Sequence, residues 1–246
     1  MTKTSKWISS TALAGAVFLA APLAATAADL DPPVQQVASE NSLYFSVFGG
    51  ANFLRDVDFT NGATTVATDY DTGFSLGGAV GYKWKDHVFG GFTPRTELEI
   101  SYFDNSVDGI DFSGNGVGAE TVLSGSDVTG FNFFANVFLD YDTGTRFTPY
   151  VGGGLGLTRA DFDIAYNGAN LNLSASDTNF AWHIGGGANY ELTEKVSFFV
   201  DARYQQTADL GSVRNIGAAP AAGAGGGFFE DNLSNVLVRG GLTFNF

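Results

Sequence analysis

Alternation with a period of two runs through most of the chain. From position 236 to 246 one face reads Val236, Val238, Gly240, Leu242, Phe244, Phe246, and the other Leu237, Arg239, Gly241, Thr243, Asn245. A strand sends successive side chains to opposite faces, so this segment has one oily side and one mostly polar side. The same pattern recurs at 43–53, 74–84, 97–102, 131–141, 149–158, 182–192 and 196–205. The spacing predicts eight strands, most of about 9–11 residues, the length a tilted membrane-crossing strand needs.

The charges agree with this division. Lys83, Glu97, Glu99, Asp140, His183, Glu191, Asp201, Arg203 and Arg239 all fall on the polar side of their strands. No charge falls mid-strand on the oily side, where it would cost about 2–4 kcal/mol at the bilayer centre. Four aromatics, Phe48, Phe134, Phe138 and Phe199, depart from the pattern by lying on the polar face. Pro149, unable to donate to a ladder, is expected at the first pairing positions of its strand or at a bulge.

Connection lengths alternate. The segments 54–72, 104–128, 159–178 and 206–234 are long, whereas 85–94, 142–146 and 193–195 are short and turn-like. Long loops at one end and short turns at the other are the plan of an outer-membrane barrel. In hydrocarbon every backbone N–H and C=O needs a protein partner, which only helices and closed barrels supply. The expected fold is therefore all-β: an up-and-down antiparallel eight-stranded transmembrane barrel. Both termini then lie with the short turns in the periplasm, and the four long loops face outside.

The first residues read differently. Lys3 and Lys6 precede an apolar run over 12–25, and Ala25-Thr26-Ala27 offers a small-x-small cleavage site. These are the parts of a secretory signal peptide. Residues 1–27 are expected to be that signal, 28–41 a short periplasmic lead-in with Pro32-Pro33, and 42–246 the barrel.

Composition narrows the function. The 246 residues carry 12 Lys+Arg against 26 Asp+Glu, a formal charge of −14, with 33 Gly, 23 Phe and no Cys. That balance argues against nucleic acid as a partner, since phosphate binding needs clustered cations. The absence of Cys excludes thiolate metal sites, a Cys nucleophile and a disulfide scaffold. No G-x-S-x-G, H-E-x-x-H or P-loop pattern is present. His183 is read as an inward member of a polar plug and His87 as a turn residue. The acidic pairs Asp56/Asp58, Asp69/Asp71, Asp108/Asp111 and Asp161/Asp163 are read as solvated loop charge, with calcium binding as the sharper alternative. The stretch 218–227, rich in Ala and Gly, reads as an outer loop. No cofactor, catalytic residue or metal site is expected.

Eight strands enclose a lumen that side chains can fill. Lys83, Glu97, Glu99, Asp140, His183, Glu191, Asp201, Arg203 and Arg239 are expected to fill it as a network of paired charges. Tyr82, Trp84, Tyr141 and Tyr190 at the short-turn end, and Tyr102, Trp182 and Tyr204 at the other, suit interfacial aromatic girdles.

The chain resembles the small eight-stranded outer-membrane barrels of Gram-negative bacteria: the OmpA barrel and the opacity-type "porin family" surface proteins. The resemblance rests on 44–52, 95–102, 148–156 and the last strand. In that strand Gly241, Phe244 and Phe246 resemble the C-terminal signal read by the barrel-assembly machinery. The resemblance implies outer-membrane localisation, with membrane lipids, lipopolysaccharide and the assembly machinery as partners, and an unidentified surface ligand at the loops. A peptidoglycan-tethering role is not expected. The function expected is structural and surface-interacting, with a plugged lumen and no enzymatic activity. A narrow channel for small solutes is the first alternative, and a lipid-A-modifying enzyme the second.

Overall fold

The computed structural model describes residues 42–60, 65–113, 118–120, 126–165, 172–208, 215–216 and 232–246. The expected signal peptide (1–27), the lead-in (28–41) and the 218–227 stretch lie outside the described residues. Twelve strands are present among them: β1 (Ser42–Leu54), β2 (Val57–Thr60), β3 (Thr65–Tyr70), β4 (Gly73–Lys83), β5 (Phe92–Ser113), β6 (Gly118–Glu120), β7 (Asp127–Tyr141), β8 (Phe147–Ala165), β9 (Asn172–Thr193), β10 (Val196–Thr207), β11 (Asn215–Ile216) and β12 (Ser234–Asn245).

Eight of these strands make the wall. Every neighbour is antiparallel, in the order β1-β4-β5-β7-β8-β9-β10-β12, and β12 returns to β1 through the run Tyr44↔Asn245 to Leu54↔Asn235. Closure leaves the wall no edge, so its backbone groups can all be paired within the sheet. Pro149 is the third residue of β8, opposite Ala188, in a ladder with no register shift there.

The remaining strands lengthen the outer end. β2 and β3 form a hairpin on β5, and β6 pairs with β5 and β11 with β9. The connections read from the sequence as long loops are therefore partly strand. β5 and β9 each run for 22 residues, well past the membrane-crossing length. Their extra residues lack an oily face, which is why the lipid-facing alternation does not reveal them.

Exposure alternates as the sequence pattern requires. On β7, Phe131, Phe133 and Val137 are exposed while Asn132, Phe134, Asn136 and Phe138 are buried. The oily face is thus the outer surface. At the short-turn end, Phe89 and Phe92 close a two-residue hairpin with bonds of 3.0 and 2.9 Å. Gly90 and Gly91 supply the positive φ (58° and 83°) that this turn requires. Tyr82 and Trp84 meet edge to face at 4.7 Å, and Trp182 and Tyr204 meet at a tilt at 5.8 Å, near opposite ends of the outer face. Tyr102, Tyr141 and Tyr190 also lie on the outer face, paired in register with lipid-facing neighbours Phe131, Phe92 and Phe147.

Inside, large residues fold over glycines on adjacent strands. A Cβ on Gly77 would come 2.6 Å from Phe48, one on Gly241 2.6 Å from Phe199, and one on Gly154 2.6 Å from His183 Nε2. On the outer face, a Cβ on Gly240 would meet nothing closer than 3.6 Å. Gly154→Ala is therefore expected to destabilise the barrel by about 1–3 kcal/mol through overpacking, with Gly240→Ala within about 0.5 kcal/mol of the parent. Urea midpoints of the refolded proteins in micelles measure both.

Above the outer girdle, Asp127 of β7 stands directly opposite Asp163 of β8. Burial, then Asp104 and Asp163, push the Asp127 carboxyl above the usual carboxylate range. A folded pKa above the unfolded one gives stability that is present below the unfolded value of about 3.9 and lost as pH rises through the folded value. The outer ends of β7 and β8 are thus expected to exchange amide hydrogens faster at neutral pH than at about pH 4 once intrinsic rates are corrected. Asp127→Asn is expected to flatten that dependence.

Candidate functional site

The lumen concentrates the chemistry of this chain. Arg95, Glu97 and Glu99 come from β5, Asn136 and Asp140 from β7, Tyr150 from β8, His183 from β9, Asp201 and Arg203 from β10, and Arg239 from β12. The period-two geometry of each strand turns them inward together. All are less than 9% exposed.

The centre is a closed ring of four charges. Glu99 accepts from Arg203 Nη1 at 2.7 Å and from Arg239 Nη1 at 2.8 Å. Asp201 accepts from Arg239 Nε at 2.9 Å and Nη2 at 2.8 Å, and from Arg203 Nε at 3.2 Å. Each carboxylate therefore touches both guanidiniums. Tyr150 donates to Asp201 at 3.1 Å. Since β5 is four strands from β10 around the wall, the ring ties opposite sides of the barrel.

A second cluster lies nearer the short turns. Arg95 donates to Asp140 at 2.8 Å and to Glu97 at 3.0 Å, and Tyr44 donates to Glu97 at 2.8 Å. Asn136 links the clusters, donating to Glu97 at 3.2 Å and Glu99 at 3.1 Å and accepting from His183 Nε2 at 2.8 Å. Further out, Gln205, Asn132 and Thr158 form one polar set, and Asn235, Asn52 and Asn105 another.

The phenylalanines on the polar face have a role here. Phe48 lies 4.1 Å from the Arg239 guanidinium carbon, and Phe138 lies 4.2 Å from that of Arg95 and 5.1 Å from that of Arg203. Phe134 meets the His183 ring edge-on at 4.8 Å, and Phe199 meets Phe48 at 6.4 Å. The rings cover guanidinium faces that in-plane hydrogen bonds leave open.

Two features bear on the space left inside the barrel. The cavity between the charge clusters, lined in part by Arg95, Tyr150, Phe199 and Arg239, is about 10 Å³. That is room for about one water. Towards the outer end, Leu54, Val107, Val128, Phe162 and Leu233 are buried on the inner face as an apolar layer.

The sequence-derived residues divide as follows. Glu97, Glu99, Asp140, His183, Asp201, Arg203 and Arg239 come together in the two clusters and their link. Lys83 sits inward at the short-turn mouth, with its ammonium 5.6 Å from the Tyr44 ring centre, and joins no ion pair among the described residues. Glu191 is exposed at that rim, still paired with Ser197 in the β9–β10 ladder, and lies outside the two clusters. Arg95, Tyr44, Tyr150 and Asn136 were missed, although Arg95 and Asn136 share the inward parity of Glu97 and Asp140. Of the acidic pairs, the side chains of Asp58 and Asp111 lie outside the description, and Asp161 pairs with Arg159 at 3.3 Å. Among the described residues no group of three or more His, Asp or Glu side chains converges as a metal site would require. At the C-terminus Gly241 lies under Phe199, and Phe246 is 80% exposed.

The sequence matches the family described as "Outer membrane protein beta-barrel domain" over residues 11–244. It is 27% identical over 175 residues to outer membrane protein PagN of Salmonella typhimurium, covering 65% of this chain and 67% of that one. Among solved structures, the neisserial surface protein NspA aligns with 16% identity and a TM-score of 0.46, over 85% of this chain and 100% of that one. OprG of Pseudomonas aeruginosa aligns with 16% identity and a TM-score of 0.49, over 85% and 98%. The chain belongs to the outer-membrane β-barrel family and is a protein of the Gram-negative outer membrane.

Proposed function

We propose that this protein is a sealed, non-enzymatic barrel that reinforces the outer membrane and presents its long connections to the cell exterior. The observation that carries the reading is the closed ring of Glu99, Arg203, Asp201 and Arg239 across the lumen. Three buried guanidiniums and four buried carboxylates occupy the interior, and Lys83 adds the fourth cation, so the described lumen is electrically neutral. A neutral, hydrogen-bonded plug with room for about one water favours a structural pillar over a solute path.

The outer end supports the surface role. The residues of β9 from Asn172 to Ala181 lie beyond Trp182, about 33 Å of strand that rises about 25 Å along the membrane normal at a tilt of about 40°. The long connections are thereby carried clear of the lipid headgroups, where an unidentified surface ligand has access. The short turns face the periplasm. The aromatic girdles meet phospholipid on one side and lipopolysaccharide on the other. Gly241, Phe244 and Phe246 of the last strand serve as the signal for the barrel-assembly machinery.

Planar-bilayer recordings of the pure protein test the seal. No large, steady conductance is expected, and its presence would replace this reading with a channel. Arg239→Met strands Glu99 and Asp201 beside a lost partner, at a cost of about 3–5 kcal/mol, and is expected to lower the heat-modification midpoint. Adding Glu99→Gln is expected to recover part of that loss in a double-mutant cycle. Because the chain has no Cys, single cysteines report orientation. Asp163→Cys should react with an impermeant maleimide on intact cells and Glu194→Cys should not; the reverse would invert the barrel.

A further inference from the structure

The short-turn mouth carries a set of donors outside the hydrogen-bond network of the plug. Ser42 opens β1 and Lys83 closes β4; they stand directly opposite in the β1–β4 register, and both point inward at the short-turn mouth. Opposed residues on neighbouring strands hold their Cβ atoms about 4.5–5.5 Å apart. Ser42 is 5% exposed, and its hydroxyl makes no hydrogen bond. Lys83 likewise makes no ion pair or hydrogen bond among the described residues; its ammonium lies over the face of the Tyr44 ring. Lys85 lies two residues on, in the single-turn 3-10 segment Lys85–His87, near enough for its charge to act on Lys83.

The carboxylates nearby are engaged or distant. Asp140 and Glu97 are bound to Arg95, the residue opposite Lys83 on β5. Glu191 approaches from β9, on the other side of the mouth, and is exposed. It is the acidic group whose field reaches both Lys83 and Lys85. Two ammonium groups and one buried hydroxyl thus converge with hydrogen-bond capacity to spare, while a third cation, Arg95, stands behind them. A buried polar group without a partner is costly, and an ammonium gains most from a charged acceptor.

We propose that the short-turn mouth of the barrel is an anion site, with Ser42, Lys83 and Lys85 donating to the oxygens of a phosphate or carboxylate group. On the orientation given above, the site opens to the periplasm. The group arrives either as a free solute or as the headgroup of an inner-leaflet phospholipid. Glu191 is its internal competitor.

The test is an NMR titration of the isotope-labelled full chain, refolded in nanodiscs of zwitterionic lipid, with inorganic phosphate, acetate and, as a control for ionic strength, chloride. Saturable shifts confined to the amides around Ser42, Lys83 and Lys85 are expected with phosphate or acetate and not with chloride. Ser42→Ala and Lys85→Gln are each expected to weaken binding, Lys83→Met to weaken it by about tenfold or more, and Lys83→Arg to retain it. Glu191→Gln is expected to tighten it. Heat-modifiable gel mobility checks that each variant is folded. If Lys83→Met does not fold, Ser42→Ala and Glu191→Gln decide, since neither alters a plug contact. Nanodiscs containing phosphatidylglycerol separate the sources: shifts without added solute identify a lipid headgroup, and shifts only with added phosphate or acetate identify a free anion. Absence of saturation, or saturation that none of the variants alters, would overturn the proposal.

Discussion

A charge taken out of water must meet its opposite, and this barrel meets that demand across its own diameter. Isolated, any of Glu99, Asp201, Arg203 or Arg239 would carry a desolvation penalty of several kcal/mol in the interior. Arranged as alternating neighbours, each carboxylate satisfies two guanidiniums and each guanidinium two carboxylates. The arrangement works only if β5, β10 and β12 keep their register, because a slip of one residue would turn all four groups to lipid. The same contacts that fill the lumen therefore specify how the wall closes.

The wall in turn supplies the room. Side chains as large as Phe, Tyr and Arg fit inside an eight-stranded cylinder because glycines face them from adjacent strands, as Gly77 does for Phe48 and Gly154 for His183. The high glycine content is part of the packing of the plug. The phenylalanines belong to it as well: stacked on guanidinium faces, they replace water on the one surface of arginine that in-plane hydrogen bonds cannot cover. The apolar layer around Leu54, Val107, Val128 and Phe162 then separates the charges from the outer end.

Much of this was legible in the chain. The eight wall strands, the direction of their faces and the inward charges follow from alternation alone, since lipid on one side and a packed lumen on the other impose opposite chemistry on neighbouring residues. The extensions of β5, β8 and β9 beyond the membrane were not legible, because strands flanked by water on their outer side lose the contrast that marks the rest. The plug was read in outline only. Parity placed Arg239 and Asp201 inside, but it could not say that Arg95 replaces Glu191 in the clusters or that Tyr44 and Tyr150 complete them. Those facts depend on which strands face each other across the lumen, a property of closure and shear that no single strand carries. The aromatics at 48, 134 and 138 looked like exceptions to polarity until their guanidinium and imidazole partners were in place, and Phe199 packs against Phe48.

The barrel requires the outward methyl groups to touch acyl chains and the inward ones to be shielded from them. In nanodiscs with protonated lipid tails and a methyl-labelled, otherwise deuterated protein, nuclear Overhauser contacts with the acyl methylenes report this on the unaltered sequence. Val47, Leu98, Val137, Val200 and Leu242 are predicted to show strong acyl contacts, and the buried Val128 and Leu237 none. Water contacts at Val137 and Val200 together with acyl contacts at Leu237 would contradict the fold, the plug and the function built upon them.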